Sequence, residues 1–174
     1  MTYVILVDKN DRFRGIMGKL EAHQKGELHR AISVLIFNSK GEMLLQQRAA
    51  EKYHSAGLWS NTCCTHPNPK ETTLQASSRR LMEEMGIKSD LSHLYSFIYK
   101  VHLDNGLIEN ELDHVYLGIS DELPRLNPNE VSNYRYTSIQ KIQDKMESTP
   151  EQYSAWFQLI FAKLLELKPE IIAA

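Results

Sequence analysis

The sequence has 174 residues and carries 20 Lys and Arg against 22 Asp and Glu, so its formal net charge is −2. This balance argues against a nucleic-acid protein built on a broad basic face, and no apolar run approaches the ~20 residues that a membrane-spanning helix needs. The two cysteines, Cys63 and Cys64, are neighbours that cannot close an ordinary disulfide, so a secreted, disulfide-stabilised domain is excluded and we expect a cytoplasmic protein.

Apolar runs bounded by turn residues predict strands at Val4–Val7, Ala31–Phe37, Glu42–Gln47, Leu94–Leu103, Ile108–Ile119 and Tyr134–Thr137. The chain from Ser138 to Leu167 is helical in pattern, with Pro150 near the start of the last helix. Strands mixed with a few helices, without regular alternation, predict an α+β sandwich. Because only short loops separate the elements, we expect residues 1–174 to form a single domain.

One further helix is predicted in the middle of the chain. It begins at Thr72 or Thr73 and runs to about residue 85, where Gly86 is the expected left-handed stop. The apolar positions that recur at helical spacing, and should face the core, are Leu74, Leu81 and Met85.

Side chains that bind first-row metals lie next to turns and strand ends, at His23, His29, His66, Glu109 and Glu111. Imidazole and carboxylate ligands together suit Zn, Mn or Mg. Glu109 and Glu111 should point to one face of their strand, and a polar bend separates the first two histidines. Taken singly, each residue also fits an ordinary surface or core role. That ordinary role is our interpretation of the other histidines, which are His54, His93, His102 and His114.

The segment Trp59–Pro67 places a thiol beside an imidazole. Cys64 is two residues from His66, so in extended backbone both side chains point the same way and Cys63 faces away. The alternative is a buried pair of small apolar side chains, since free cysteine is usually buried and inert. Without a second, distant cysteine pair, a structural zinc site with four ligands is disfavoured.

The predicted middle helix carries charges at regular spacing. Arg79 and Arg80 each lie four residues before a glutamate, as in an ordinary salt-bridged surface. From Glu71 onward, however, the spacing E-x₇-R-x-U-x-E-E-x-G-U matches the Nudix box, a loop–helix motif whose acids hold Mg²⁺ against a diphosphate. Two positions depart from it, because Thr65 replaces the box glycine and Arg80 replaces an acid. This cation argues against ordinary Nudix pyrophosphohydrolysis, which uses several carboxylates to gather metals.

Together these segments resemble the type 1 isopentenyl-diphosphate Δ-isomerases, a Nudix-fold family with a modified box. The matching stretches, in the family's order, are Leu28–Val34, Trp59–Pro67, Arg79–Gly86 and Glu109–Asp113. The resemblance implies a mixed β-sheet sandwich of the Nudix type with flanking helices. It also implies an isomerase that interconverts isopentenyl and dimethylallyl diphosphate through a tertiary carbocation.

The resemblance also implies roles for individual residues. One divalent metal (Mn, Mg or Zn) falls on His23, His29, His66, Glu109 and Glu111. Cys64 and Glu111 are the implied catalytic pair, in either order, with Tyr99 bonded to the carboxylate. The implied substrate contacts are a Mg²⁺ bridging Glu84 and the diphosphate, cations at Lys19, Arg48, Lys52 and Arg80, and Trp156 beside the alkene.

Two other functions fit parts of the sequence. A Nudix pyrophosphohydrolase acting on a nucleoside diphosphate derivative fits the box but gives Cys64 no task. A non-catalytic metal-binding module fits the histidines but predicts no reaction. The expected partner is a small diphosphate, with no nucleic acid and no membrane, and a chain without heptads or an obvious apolar patch is by default a monomer.

Overall fold

The computed structural model describes residues 2–52 and 54–167, so Tyr53 and the two ends of the predicted 1–174 domain lie outside the described residues. The strands are β1 (Tyr3–Val7), β2 (Phe13–Gly18), β3 (His29–Phe37), β4 (Met43–Arg48), β5 (Trp59–Ser60), β6 (Cys63–Thr65), β7 (Ser92–His102), β8 (Ile108–Ile119) and β9 (Val131–Thr137). The helices are α1 (Lys19–Lys25), α2 (Thr73–Met85), α3 (Ile139–Ser148) and α4 (Ala155–Leu167), with short 3₁₀ turns at Asp104–Gly106 and Pro150–Gln152.

Within the described residues, nine strands form one mixed sheet with β3 at its centre. Along its whole length β3 pairs in parallel with β8, and it pairs antiparallel with β1, β4 and β6. Strand β7 continues the sheet beyond β8 in antiparallel register, which sets Tyr99 opposite Glu111. This mixed sheet with flanking helices confirms the predicted α+β sandwich.

The side chains of β3 alternate between two apolar layers, as a strand's period of two requires. Ile32, Val34 and Ile36 pack against α2 on one face of the sheet. Leu35 and Phe37 pack against α3 and α4 on the other. Both faces of the central strand are therefore buried, and polar side chains on it and its neighbours are forced into the interior.

Helix α2 begins and ends where the sequence predicts. Thr72 is the N-cap, and its side chain and that of Gln75 form a reciprocal capping box. Gly86 closes the helix at φ 64°, and a Cβ at that position would lie 2.8 Å from the Cβ of Arg125. Glycine is therefore required there both by conformation and by space.

The expected burial of Leu74 is wrong, since its side chain is 44% exposed. The buried stripe of α2 is centred on Ser77, Leu81 and Glu84, and Leu74 lies at the edge of that stripe in the first turn. Leu81 and Met85 are buried as predicted. The stripe thus carries a carboxylate, that of Glu84, into the interior.

Three local features differ from the sequence expectation. Strand β2 and helix α1 form in a stretch for which neither a strand nor a helix was predicted. Strand β2 lies largely exposed and has no apolar alternation to reveal it. Pro150 lies in a separate 3₁₀ turn, and α4 begins only at Ala155.

Among the residues the structure describes, no helix combines the length and hydropathy needed to cross a bilayer.

Candidate active site

One cavity gathers nearly all the predicted site residues. Its walls come from elements spread along the whole described chain: the start of α1, the end of β4, β6, the inner face of α2, β7, β8 and α4. The predicted residues that line it are Lys19, His23, Arg48, Lys52, Cys64, His66, Arg80, Glu84, Tyr99, Glu109, Glu111 and Trp156. His29 is fully buried beside it and contacts His66.

Three imidazoles and one carboxylate converge at the inner end of this cavity. His23, His29, His66 and Glu111 each offer a ligand atom, and these atoms lie within 4.8 Å of one another. The Nε2 atoms of His29 and His66 are 3.2 Å apart, and that of His66 is 2.9 Å from Glu111 Oε1. This group could hold a metal ion.

The outer nitrogens of two of these rings are already bonded. His23 Nδ1 donates to the backbone carbonyl of Lys19 at 2.7 Å, and His29 Nδ1 donates to that of Glu27 at 2.8 Å. Both rings therefore direct an Nε2 lone pair inward, and the Nε2 atom of His23 is buried without a hydrogen-bond partner. Carbonyl-bonded imidazoles that converge in this way are typical of metal sites.

Burial keeps the His23 and His66 rings in the neutral form that binds metal. It lowers the pKa of His23, and it lowers the pKa of His66 to about 3. Burial pushes the pKa of Glu111 upward, but its close polar contacts with the His29 and His66 rings outweigh burial and hold that pKa well below its usual range. Neutral imidazoles and an ionised carboxylate are what a divalent cation requires.

Glu109 lies in the cavity but outside the group of four. Its Oε1 atom is 4.0 Å from His54 Nε2, and its Oε2 atom is buried without a hydrogen-bond partner. Burial, and then the charge of Glu111, raises the pKa of Glu109 well above its usual range. The strand therefore does point both carboxylates to one face, but only Glu111 joins the group formed with His23, His29 and His66.

A third carboxylate, that of Asp113, lies two residues beyond Glu111 on β8. It is fully buried, accepts a 2.8 Å hydrogen bond from Ser33 and leaves Oδ1 without a partner. Burial, and then the charge of Glu111, raises its pKa from 3.8 to about 8. The folded chain therefore keeps a proton on Asp113 that the unfolded chain releases, and this contribution to stability is lost as pH rises from about 4 to about 8.

Asp113→Asn should accordingly make the metal-free protein less sensitive to pH over that window. Each pH unit costs the wild-type up to about 1.4 kcal/mol of stability through this group, and the variant loses none of it. Urea unfolding midpoints at pH 5 and pH 8 test this expectation. Equal pH dependence in the two proteins would show that Asp113 is ionised in the fold.

The two cysteines face opposite ways because β6 is extended. Cys63 is fully buried in the apolar layer under α2, whereas Cys64 lines the cavity. The preceding segment holds this register, since Asn61 donates to the carbonyl of Cys63 at 2.8 Å and Thr62 donates to that of Leu44 at 2.7 Å. Burial raises the pKa of Cys64 to about 12, so its sulfur carries a proton at neutral pH.

Tyr99 is directly bonded to the same carboxylate as the histidines. Its hydroxyl donates to Glu111 Oε2 at 2.5 Å, as the register of β7 and β8 allows. Burial, followed by the charge of Glu111, raises the pKa of Tyr99 well above its usual range. The Tyr99 hydroxyl is therefore protonated and can share its proton with Glu111, whose other oxygen faces the histidines.

The outer end of the cavity is rich in ion pairs. Arg80 Nε lies 2.6 Å from Glu84 Oε1, and Arg80 Nη2 lies 2.5 Å from Glu130 Oε2. Lys52 pairs with the same Glu130 carboxylate, and Glu84 also accepts a hydrogen bond from Gln46 at 2.6 Å. The box pair Glu71 and Arg79 forms as well, but it lies outside the cavity lining.

Trp156 also lines the cavity. Its ring is almost fully buried and stacks edge-on against His54, with ring centroids 5.7 Å apart. The guanidinium carbon of Arg48 is 5.0 Å from the centre of the Trp156 ring, while that guanidinium donates to the carbonyls of His54 and Ser55. The indole therefore presents an aromatic face in an environment that already contains a cation.

Sequence reasoning missed two residues of this site. His54, interpreted as an ordinary histidine, lines the cavity, and burial lowers its pKa to about 3. Glu130 was not considered at all, although it contacts two of the predicted cations. No local motif marks Glu130, whose partner Arg80 is 50 positions away in the sequence.

Comparison with known proteins places this site in a family context. A family model described as the NUDIX domain matches residues 27–157. A curated relative from Pectobacterium atrosepticum, named isopentenyl-diphosphate Delta-isomerase, is 60% identical over 164 residues, covering 94% of this chain and 92% of the relative. A relative with the same name from Serratia proteamaculans is 47% identical over 161 residues, covering 92% and 90%.

Solved structures agree on the fold at lower identity. A crystal structure from Deinococcus radiodurans superposes with a TM-score of 0.77 at 17% identity, covering 92% of this chain and 98% of that one. A MutT protein from Methanosarcina mazei gives a TM-score of 0.66 at 23% identity, covering 80% and 94%. These likenesses extend to the fold alone.

Proposed function

The chain belongs to the type 1 isopentenyl-diphosphate Δ-isomerases of the Nudix fold, and from that premise we propose how its own residues carry out the reaction. Isomerisation moves a double bond from C3–C4 to C2–C3. A proton is added at C4, a tertiary carbocation forms at C3, and a proton leaves C2. We assign these two transfers to Cys64 and Glu111, whose roles exchange when the reaction runs backwards.

The observation that carries this assignment is the placement of the pair. Cys64 and Glu111 line one cavity and come from different strands, β6 and β8. The thiol holds a proton at neutral pH while the Glu111 carboxylate is ionised, so the cavity contains one proton donor and one acceptor. Tyr99 hydrogen-bonds the acceptor and can move a proton to or from it.

We propose that His23, His29, His66 and Glu111, with Glu109 adjacent, hold one divalent metal of the Mn, Mg or Zn class. The donor set supports this, since imidazole and carboxylate ligands suit those ions and His23 Nε2 has no other partner. When bound, the ion supplies positive charge that stabilises ionised Glu111 and fixes its orientation.

The double variant His29→Ala/His66→Ala should lose this metal, because half of the group of four is removed. Metal content after dialysis, measured by inductively coupled plasma mass spectrometry, tests this directly. In the wild-type, release by acid should need a pH well below the ~6.5 of an ordinary imidazole, since burial lowers the pKa of His66 to about 3. Full metal retention in the double variant would remove the site as assigned.

The outer end of the cavity is assigned to the diphosphate. We propose that Lys19, Arg48, Lys52 and Arg80 receive it, together with a Mg²⁺ held by Glu84. Arginine donors suit phosphate oxygens because the guanidinium can form paired, charge-assisted hydrogen bonds. Glu84 is the buried acid of the box helix and lies at hydrogen-bonding distance from Arg80, so carboxylate and guanidinium share this end.

Arg80→Ala should raise KM about 10- to 100-fold and change kcat much less. The diphosphate keeps its charge throughout the reaction, so contacts to it stabilise the ground state and the transition state alike. Steady-state kinetics separate the two constants. An unchanged KM with collapsed turnover would contradict the assignment of Arg80 to binding.

We assign the alkene end to Trp156. An indole face can stabilise a cation by ~2 kcal/mol or more where water is excluded, and Trp156 is 2% exposed. Its neighbours in the fold, His54 and Arg48, close that wall of the cavity. The carbocation would therefore form beside an aromatic face with little access for water.

The isomerase assignment is favoured over a Nudix pyrophosphohydrolase. The relatives carry the isomerase name, and the box position after Arg79 is a cation rather than a carboxylate. Conversion of isopentenyl diphosphate to dimethylallyl diphosphate by the purified chain with Mg²⁺ tests it. Phosphate release from nucleoside diphosphate sugars, without any allylic product, would favour the hydrolase instead.

We further propose that residues 1–174 act as one domain, as a monomer and in the cytoplasm. The support is the single sheet that spans the described residues and the two free, neighbouring cysteines, which suit a reducing compartment. Light scattering of the purified chain tests the monomer.

A further inference from the structure

Glu130 lies against two of the residues that line the cationic end of the cavity, Lys52 and Arg80. Its carboxylate contacts Lys52 and lies 2.5 Å from Arg80 Nη2. Its backbone is also fixed, because its N–H donates to the carbonyl of Asn127 at 3.0 Å and its carbonyl accepts from the N–H of Ala49 at 3.0 Å. The side chain is 23% exposed, so its ion pairs are partly shielded from solvent.

Carboxylates already pair with two of the four cations assigned to the diphosphate, Lys52 and Arg80. Arg80 contacts Glu83 and Glu84 in addition to Glu130, while Lys52 shares Glu130. Glu83 also pairs with Arg79 and is the most exposed of the three carboxylates, so Glu84 and Glu130 are the main partners of these two cations. A free diphosphate would meet repulsion from the carboxylates and would compete with Glu130 for both cations.

A divalent cation offsets this repulsion. A Mg²⁺ at Glu84 would add positive charge beside these carboxylates, and a diphosphate bound to that ion would meet net attraction. Glu130 would then keep Lys52 and Arg80 in place for the phosphate oxygens. The Glu130 carboxylate would thus weaken binding of the free diphosphate without weakening binding of its magnesium complex.

We propose that Glu130 makes the cavity select the magnesium complex of a diphosphate over the free diphosphate. This inference rests on the proposed diphosphate site, and it names a specificity-determining residue for it. Selectivity of this kind comes from an opposing charge built against the wrong ligand as well as from contacts to the right one.

Calorimetric titration with inorganic pyrophosphate tests the proposal on protein loaded with metal at the histidine site. Without added Mg²⁺, Glu130→Gln should bind pyrophosphate at least about ten-fold more tightly than the wild-type, because one opposing charge is gone. With saturating Mg²⁺ the two Kd values should agree within about three-fold. The ratio of the Kd without Mg²⁺ to the Kd with Mg²⁺ therefore falls in the variant.

Two further variants separate charge from structure. Glu130→Asp keeps the negative charge and should keep the wild-type ratio. Glu122 is exposed and does not line the cavity, so Glu122→Gln changes only the net charge and should also leave the ratio unchanged. Weaker binding of Glu130→Gln by the same factor with and without Mg²⁺ would overturn the proposal, since it would make Glu130 a mere support for the cations. A Glu130→Asp ratio equal to that of Glu130→Gln would overturn it as well.

A failure of the proposed function would give a different result in the same titration. A wild-type protein that binds pyrophosphate under neither condition would remove the diphosphate site itself, and with it this inference. Wild-type binding in Mg²⁺ combined with an unchanged ratio in Glu130→Gln would keep the site and overturn only the role of Glu130.

Discussion

Cys64→Ser should lower the isomerisation rate by about 10²- to 10⁴-fold, the usual contribution of a positioned proton-transfer group, while Cys63→Ser keeps most of the activity. The two residues are adjacent, yet one lines the cavity and the other is fully buried under α2. Serine preserves the shape at position 64, but its hydroxyl is a far weaker acid than a thiol of ordinary pKa about 8.5. Only loss of the thiol that lines the cavity should therefore slow the reaction.

Stability should respond in the opposite order. A hydroxyl at position 63 is buried among apolar side chains at a cost of roughly 1–3 kcal/mol, so Cys63→Ser should lower the melting temperature more than Cys64→Ser does. Rates and circular dichroism melts of both variants make each the control for the other. If Cys63→Ser is inactive while Cys64→Ser turns over normally, the register of β6 and the catalytic assignment are both wrong.

Glu111→Gln should reduce both turnover and metal content. The carboxylate of Glu111 accepts from Tyr99 and contacts His66 within the candidate metal group. An amide keeps the size of the side chain, but it neither takes up a proton near neutral pH nor binds a metal as strongly. We expect kcat to fall by about 10³-fold or more, together with reduced metal content.

Tyr99→Phe separates the two losses. It removes one hydrogen bond and leaves the carboxylate in place, so kcat should fall by about 10- to 100-fold while metal content stays at the wild-type level. Metal analysis and steady-state rates on the same preparations measure both quantities. Wild-type turnover in Glu111→Gln, or metal loss in Tyr99→Phe, would contradict the roles assigned to this pair.

Local chemistry explains where the sequence predicted the fold well. Thr72 and Gly86 bound α2 because a capping side chain and a left-handed glycine act within one turn of the helix. The strands with continuous apolar runs, such as β3, are buried on both faces. Helix α1 was missed because it is short and followed by a polar bend, and β2 because it is largely exposed.

Only the residues to which the family resemblance assigns a role could be predicted as parts of one site. Sequence spacing alone does not predict that His23, His29 and His66 lie together. Their rings meet only because β3 pairs with β6 and α1 ends beside them. Glu130 and His54 lie outside every matching stretch, and their places are determined by tertiary contacts. Long-range charge balance, as at Arg80, has no local signature in a sequence.

Proton exchange with solvent during turnover tests the central claim most directly. Isopentenyl diphosphate incubated with the purified chain and Mg²⁺ in deuterium oxide should give dimethylallyl diphosphate with deuterium in the methyl group formed from C4, because the added proton comes from exchangeable groups such as the Cys64 thiol or the Tyr99 hydroxyl. Mass spectrometry and deuterium NMR of the product locate the label. Product formed without solvent deuterium, or no product at all, would contradict the account.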